Sequence, residues 1–207
     1  MTHRFAELAF TPAVRAIQES MGSRKAYAKA EGGRLHHDRL GDAERDFIAT
    51  RDSFYLATVS ETGWPYIQHR GGPPGFVRVL DEKTLGFADF RGNRQYITRG
   101  NLAGNDRVAL FFMDYPRQAR LKLLGVACPV AIEDDPGLAA KLAIPGYSAK
   151  IERGFLISVE AFDWNCSQHI TPRFTAAEVA AIVAPLQQRI CELESLNPPS
   201  DRMRSAT

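Results

Sequence analysis

The middle of the chain carries apolar runs that are rich in β-branched and aromatic residues and follow one another at short intervals, and Gly, Asp or Asn residues occupy the breaks between them. Two of the runs, RVALFFMD and ARLKLLGVACPVAI, are long and nearly continuously apolar. The pattern predicts six or seven strands, in the runs FYLATVS, PYIQHR, GFVRVL, TLGFADF, RVALFFMD, ARLKLLGVACPVAI and GFLISVEAFDWN.

Helical patterns occupy the two ends of the chain and two short insertions. The first fifty residues predict three helices, in the segments that begin at Thr11-Pro12, SRKAYAKAEGG and GDAERDFIATRD. One inserted helix is expected over roughly 94–103 and the other in PGLAAKL. Thr175 and Glu178 have the spacing of a capping box. They predict a final helix to about Ser195, kinked at Pro185. We expect the tail beyond it to be disordered.

Hairpin-linked strands with one helix inserted midway are typical of a small antiparallel barrel. Strict β-α-β alternation is absent, which argues against a doubly wound parallel sheet. The sequence shows no internal repeat and no low-complexity linker. It therefore predicts a mainly β protein with helices (α+β), in which one antiparallel barrel domain carries helical N- and C-terminal extensions.

Charge and cysteine content restrict the classes of function. The 207 residues include 26 basic and 24 acidic side chains, so a net charge of +2 implies no general attraction to nucleic acid or membranes. No apolar run has the length of a spanning helix, and the N-terminus lacks a signal-peptide core. The three cysteines, Cys128, Cys166 and Cys191, are odd in number and far apart, which favours free thiols in a reducing cytoplasm.

Several common site motifs are missing. The chain has neither a phosphate-loop signature nor a glycine-rich dinucleotide fingerprint. Cys166 with His169 supplies half a metal site at best, and His36-His37 is an unsupported pair, so we expect no metal. The scattered histidines allow no Ser-His-Asp arrangement to be placed, and the catalytic residues stay unassigned.

The stretch GFADFRGNRQYITRGNL, residues 86–102, is the main candidate for a binding site. A strand that ends at Asp89 is followed by a turn and then by Asn93, Arg94 and Gln95 at the expected helix start. Backbone N–H groups, the helix dipole and a guanidinium would then converge on one spot, an arrangement that suits a phosphate. A second cation could come from Arg120 or Lys122. The alternative is that these arginines form a solvated face of a short helix.

Residues 50–175 resemble the split-barrel flavoproteins related to pyridoxamine 5′-phosphate oxidase. The resemblance rests on the strand that ends in FAD, the GNRQ segment and the glycine-bearing strand LKLLG. The segments HRGGPPGF and DWNCSQHITPRF suggest the branch of flavin-nucleotide-binding proteins within that group. The resemblance implies an FMN-binding split β-barrel, a homodimer and a flavin at the boundary between the subunits.

The resemblance also implies roles at the phosphate end of FMN. Asn93, Arg94 and Gln95 correspond to the family's Ser-Arg-Lys segment, so Arg94 would bind the phosphate. Gln95 replaces the usual lysine, and Arg70 or Arg120 would compensate for the lost charge. Arg120 also stands where the family has a glutamine.

Other positions are implied along the rest of the flavin. Ala88 and Asp89 stand where a Tyr-Thr pair lines the ribityl chain. Gln68, His69 and Arg70 stand where the backbone usually meets the isoalloxazine ring. The family's arginine-led strand is not reproduced, because GGPPGFVRVL occupies that place.

The segment DWNCSQHITPRF follows the final strand and has two interpretations. Related oxidases place a Trp and, about ten residues later, an Arg at this point, and Trp164 and Arg173 reproduce the spacing. Trp164 and Asn165 would then lie beside the partner's flavin ring, and His169 or Arg173 would face the substrate. In the other interpretation Trp164 only closes the end of the barrel.

The resemblance as a whole implies a cytoplasmic, homodimeric, FMN-dependent oxidoreductase that acts on an unknown small substrate. A non-catalytic module that sequesters flavin or haem, a dimeric interaction protein and a deazaflavin-dependent reductase remain alternatives. We expect residues 1–50 to form the helical N-terminal extension and residues 51–175 the FMN-binding split barrel. Residues 176–207 would hold the C-terminal helix and the tail.

Overall fold

All seven β-rich runs form strands, and the strands pair antiparallel in one sheet. The computed structural model describes residues 3–32, 36–164 and 167–196. The spatial order of the strands, numbered along the chain, is β2-β1-β5-β6-β7-β4-β3. The outer strands β2 and β3 do not pair with each other, so the described sheet is not closed. The strands are β1 (Ser53–Val59), β2 (Pro65–Gly71), β3 (Val77–Asp81), β4 (Thr84–Phe90), β5 (Arg107–Asp114), β6 (Ala119–Val130) and β7 (Ile151–Trp164).

The predicted antiparallel split-barrel class is therefore confirmed, and alternation decides which side chains form the core. In β5 every second residue is buried, and β1 and β6 follow the same pattern. Phenylalanine rings fill the centre of the core. The ring of Phe54 lies 5.9 Å from that of Phe76, 5.3 Å from Phe87 and 5.1 Å from Phe112.

A glycine allows the two longest strands to approach each other closely. The pairing of β6 with β7 shifts register between Leu124 and Gly125. A Cβ atom at Gly125 would lie 2.5 Å from the carbonyl oxygen of Ser158 and 2.9 Å from Cγ2 of Ile157. Only glycine fits this bulge without a backbone shift.

The described residues form seven helices, and two of their N-caps, Thr11 and Thr175, were predicted from the sequence. Thr11 accepts a hydrogen bond from the N–H of Val14 at the predicted start of α2. The six-residue helix α1 was not predicted, since it is too short to show a helical period. The helices are α1 (Arg4–Ala9), α2 (Pro12–Ser20), α3 (Arg24–Glu31), α4 (Asp42–Ala49), α5 (Ile97–Gly104), α6 (Pro136–Leu142) and α7 (Ala176–Leu196).

The predicted start of the inserted helix at Arg94 is wrong, because α5 begins at Ile97. Arg94 and Tyr96 have φ angles of 61° and 56°. Both values lie in the left-handed region, which a right-handed helix cannot include. Asn93, Arg94 and Gln95 therefore form a turn that precedes the helix.

The C-terminal helix α7 begins at the predicted capping box. The N–H of Thr175 donates to a carboxylate oxygen of Glu178 at 2.7 Å, and the N–H of Glu178 donates to the hydroxyl of Thr175 at 3.2 Å. Pro185 lies inside the helix, as predicted. No residue of α7 is buried. The tail predicted to be disordered, residues 197–207, lies outside the described residues.

Candidate functional site

The turn between β4 and α5 forms one wall of a narrow polar cleft of about 60 Å³, which we name the arginine cleft. Strand β2 supplies the opposite wall, and one end of β7 closes the cleft. The lining residues are Tyr66, Gln68, Arg70, Asp89, Phe90, Gly92, Asn93, Arg94, Gln95, Tyr96, Ile97, Thr98, Arg99, Glu152 and Phe155.

Arg94 is held at the mouth of this cleft by Tyr96. Its Nε donates to the Tyr96 hydroxyl at 2.9 Å, and that hydroxyl donates to Glu152 at 3.3 Å. The hydrogen bond to Tyr96 raises the pKa of Arg94 above its ordinary value, and the charge of Glu152 adds to the effect. The guanidinium of Arg153 lies 5.2 Å from the centre of the Tyr96 ring. Two cations, Arg94 and Arg153, therefore lie beside Tyr96 at one edge of the cleft.

Arg70 and Asp89 form an ion pair deeper in the cleft. Nη1 of Arg70 lies 2.5 Å from Oδ1 of Asp89, and Nε of Arg153 lies 3.6 Å from Oδ2. Both side chains of the closer pair are largely buried, 15% and 12% exposed. Nε of Arg70 is also buried, yet it donates no hydrogen bond to any described residue. A buried donor in this state can be satisfied by a ligand with an acceptor oxygen.

A short polar contact ties β2 to α5 at the floor of the cleft. The hydroxyl of Thr98 donates to Oε1 of Gln68 at 2.7 Å, and Thr98 is buried. Asn93 accepts a hydrogen bond from the N–H of Gln95 at 3.3 Å, which shapes the preceding turn. Tyr96 precedes α5 but makes no side-chain capping bond, so first-turn N–H groups are available to an anion.

The arginine cleft can bind an anion. Arg70, Arg94 and Arg99 line it, against the two acids Asp89 and Glu152. Six residues predicted from the sequence meet here, namely Gln68, Arg70, Asp89, Asn93, Arg94 and Gln95.

Several polar residues in or beside the cleft were not predicted from the sequence. Tyr96 and Thr98 lie within residues 86–102. An aromatic residue and a hydroxyl group so close to the arginines could have identified them as site residues from the sequence. Glu152 and Arg153 come from β7, about sixty residues later, and only the pairing of β7 with β4 brings them close.

A second cleft, which we name the outer-face cleft, lies on the side of the sheet that faces away from the core. It has a volume of about 660 Å³ and a largely apolar lining from β1, β5 and β6. Arg120, His169 and Arg173 meet in it. The guanidinium of Arg173 lies 5.0 Å from the centre of the Tyr115 ring, and that of Arg120 lies 6.0 Å from the centre of the Phe111 ring. Nε of Arg120 is buried and has no hydrogen-bond partner among the described residues.

The two arginines expected to compensate for the missing lysine lie apart. Arg70 lines the arginine cleft with Arg94, whereas Arg120 lines the outer-face cleft of the same chain. Lys122, the other candidate cation, forms an ion pair with Asp163 at 2.8 Å. Within one chain, Arg70 is therefore the arginine placed beside Arg94.

Three further predicted residues lie outside the arginine cleft. His69 is exposed on the other face of β2, where its ring lies edge-on to that of Tyr55 at 5.7 Å. Ala88 is buried, with 2% exposed. Trp164 donates its indole N–H to Glu44 at 2.7 Å, and its ring lies 4.8 Å from that of Phe47. This packing matches the interpretation in which Trp164 closes one end of the sheet.

The remaining predicted residue, Asn165, lies outside the described residues, as does Cys166. Over residues 3–32, 36–164 and 167–196, no group of three or more His, Cys, Asp or Glu side chains is arranged to hold a metal ion. No helix in the same ranges is both long and apolar enough to cross a membrane.

Known structures with a similar arrangement were found, although none is close. A protein named HupZ from Group A Streptococcus is 18% identical, with a TM-score of 0.46, over 65% of this chain and 99% of that one. A candidate pyridoxamine 5′-phosphate oxidase from Lactobacillus delbrueckii is 21% identical, with a TM-score of 0.47, over 62% and 97% of the two chains.

An FMN-binding protein from Syntrophomonas wolfei is 14% identical, with a TM-score of 0.44, over 72% of this chain and 97% of that one. Sequence identities and TM-scores at this level are too low to support an inference about function. No protein with a curated function matches the chain.

The sequence itself gives the assignment to a family. Residues 40–154, more than half of the chain, match the family described as pyridoxamine 5′-phosphate oxidase. The matched range includes β1 to β6 and the whole turn that carries Arg94. The chain therefore belongs to the pyridoxamine 5′-phosphate oxidase family.

Proposed function

We infer that this protein is a flavoprotein that binds FMN with its phosphate in the arginine cleft. The observation that carries this inference is the buried Nε of Arg70, which has no described partner and lies in the same cleft as the Arg94 guanidinium. A phosphate supplies several charged acceptor oxygens, which suit two guanidinium groups and the N–H groups of a helix start. Family membership supports a flavin nucleotide as the molecule that carries this phosphate.

The residues present fit the polar end of FMN. Arg94, with Asn93 and Gln95 on the same turn, would hold the phosphate, and Arg70 would supply the charge that Gln95 lacks. Asp89 repels an anion, but its ion pairs with Arg70 and Arg153 offset that charge. Gln68 and Thr98 offer polar groups for the ribityl hydroxyls, while Ala88, buried on the opposite side of β4, offers none.

We place the flavin ring at a boundary between two copies of the chain. The outer-face cleft is large and apolar, and Phe111, Met113 and Leu124 point into it. A second copy would cover this surface and bring its Arg120, His169 and Arg173 toward the flavin held by the first. This arrangement would give Arg120 a place in the site that it lacks within one chain. The placement of Trp164 and Asn165 beside the ring stays a prediction.

The proposed activity is oxidation or reduction of a small substrate. Bound FMN supplies the electron or hydride transfer itself, so the chain needs only to bind, orient and shield the reactants. Arg173 and His169 would face the substrate and favour one that carries an anionic group.

Titration of the purified protein with FMN, FAD and riboflavin tests the proposed cofactor. We expect FMN to bind at least tenfold more tightly than riboflavin, because a charge-assisted contact contributes about 1.5–3 kcal/mol. Equal affinity for riboflavin would refute a phosphate site in the arginine cleft. Absorbance and mass of any co-purified chromophore distinguish FMN from a deazaflavin or haem, and redox turnover of the bound cofactor distinguishes an enzyme from a sequestering module.

A further inference from the structure

Helix α7 carries a row of large apolar side chains that the described part of the chain does not cover. The helix has 21 residues and none of them is buried. An exposed row of this size usually marks a surface that binds another molecule. One row, with its exposed fractions, consists of Val179 (46%), Val183 (36%), Leu186 (60%), Ile190 (54%) and Leu193 (44%). Ile182 (58%) and Leu196 (73%) lie beside this row and widen the apolar surface.

These five positions have the spacing of a coiled coil. The steps between them alternate between four and three residues, so they occupy successive d and a positions of a heptad repeat. The a positions are the β-branched Val183 and Ile190, and the later d positions are Leu186 and Leu193. β-branched residues at a with leucine at d favour two parallel strands.

Charges beside the row favour the same arrangement. Arg189 occupies a g position and Glu194 the e position five residues later. In a parallel pair in register, each g residue faces this e residue of the other helix, so two Arg-Glu pairs form across the interface. An antiparallel pair brings g against g and e against e, so Arg189 and Glu194 would no longer face each other. Within one chain Arg189 contacts Glu192 at 2.9 Å in an exposed pair of little energetic weight.

The proline inside α7 is compatible with pairing. Pro185 occupies a c position, so its ring lies on the outer side of the helix and away from the a and d residues. The helix is about 30 Å long, or three heptads. A single helix of this length is marginal in water, and coverage of its apolar row would stabilise it.

We propose that α7 pairs with α7 of a second copy of this chain as a parallel, in-register, two-stranded coiled coil. The pairing is isologous, with a two-fold axis along the coil. It requires no flavin and does not depend on the proposed function. A second chain is the fitting occupant because the row complements itself in both residue type and charge.

Cysteine cross-linking of the full-length protein tests the pairing and its direction. In a background in which Cys128, Cys166 and Cys191 are replaced by serine, Val179→Cys and Leu193→Cys are made separately. Each protein should form a disulfide-linked dimer under mild oxidation at micromolar concentration, since identical d positions face each other in register. Ser195→Cys, at an outer f position, is the matched control and should cross-link at least tenfold more slowly.

Two outcomes would overturn the proposal. Cross-linking only in a mixture of the Val179→Cys and Leu193→Cys proteins would show an antiparallel pair, because that arrangement brings opposite ends of α7 together and separates identical positions. Cross-linking no faster than the Ser195→Cys control would show that α7 binds its own chain or another partner. FMN titration of the same proteins tests the proposed function independently. Flavin binding without cross-linking would overturn only the coiled coil, and cross-linking without flavin binding would overturn only the proposed function.

A second pair of variants covers the case in which cysteine changes disturb the helix. Leu186→Asp with Ile190→Asp places two charges in the row, while Ala184→Asp with Gln188→Asp places two charges on the outer side. The first double variant should lose helical circular dichroism and the cross-link at Leu193→Cys, and the second should keep both. Equal behaviour of the two double variants would contradict the coiled coil.

Discussion

Two arginines three positions apart on the β4–α5 turn meet different partners. Arg94 lines the arginine cleft and donates to the Tyr96 hydroxyl. Arg91 does not line the cleft, and its Nε lies 3.5 Å from Glu152. Arg91 therefore takes part in an ion pair while 41% of its side chain stays exposed to solvent.

Arg94→Ala should weaken FMN binding by roughly tenfold or more, because it removes a charge-assisted contact to the phosphate. Flavin fluorescence titration measures the change. Arg91→Ala is the control and should change the affinity less than threefold, since an exposed pair contributes at most about 1 kcal/mol. If the two substitutions had the same effect, the turn would be a solvated face and the phosphate site would lie elsewhere.

A pair of histidines near the N-terminus makes stability depend on pH. The rings of His3 and His37 stack with their centres 4.1 Å apart, and Phe162 packs edge-on against His37 at 5.3 Å. Burial lowers the pKa of His37, and a charge on His3 lowers it further, against the opposing effect of Asp163 and Glu44. The folded protein therefore binds a proton at His37 less readily than the unfolded chain does.

The sign of this pH dependence follows from linkage. Below about pH 6.5 the unfolded chain binds more protons at this position than the folded chain, so stability falls as the pH decreases toward the folded pKa. We expect the melting temperature of the parent to fall more steeply below pH 6.5 than that of His37→Phe, which keeps an aromatic ring but cannot titrate. Parallel curves of melting temperature against pH for the two proteins would contradict a role of His37.

The close pairing of β6 with β7 depends on one glycine. Gly125 sits at their bulge, where a Cβ would lie 2.5 Å from the Ser158 carbonyl oxygen. Gly125→Ala should destabilise the fold by about 1–3 kcal/mol through overpacking. For a chain of this size, thermal unfolding should show a loss of roughly 2–4 °C for each kcal/mol.

A second glycine provides the control for this prediction. Gly100 lies within α5, and no atom lies within 4 Å of the position of a Cβ there. Gly100→Ala should therefore raise stability by about 0.5–1 kcal/mol, because alanine is the better helix former. If the Gly125→Ala protein melted at or above the melting temperature of the parent, the bulge would accommodate a Cβ atom and the prediction would be wrong.

At the level of the whole molecule, the outer-face cleft should join two copies of the chain. Ile67 lines this cleft at the edge strand β2 and is 64% exposed, as is Ile17 on the distant helix α2. Ile67→Asp should weaken both dimer formation and FMN binding, because a buried, unpaired charge is costly. Light scattering at micromolar concentration measures the mass, and flavin titration measures the affinity.

Ile17→Asp makes the same chemical change at equal exposure and should leave both properties unchanged. If Ile67→Asp bound FMN as the parent does, the outer-face cleft would not contribute to the flavin site. Cross-linking between α7 helices that persists in Ile67→Asp would instead show that the two contacts form independently.

Local pattern determined the strands, most of the helices and the family of this protein. Runs of β-branched and aromatic residues between turn residues require no distant information, and the caps at Thr11 and Thr175 act within one helical turn. The start of α5 was missed because the left-handed backbone at Arg94 and Tyr96 has no sequence signal that outweighs a plausible helix former.

Only the tertiary structure decided which charged residues share a site. Asp89 receives Arg70 from β2 and Arg153 from β7, and those strands reach it from different directions along the chain. The order of strands in the sheet likewise places Arg120 in a different cleft from Arg94. Trp164 forms a hydrogen bond with Glu44 of α4, which is far from it in sequence. Such contacts depend on strand pairing over long sequence separations, which the local pattern of apolar and polar residues does not encode.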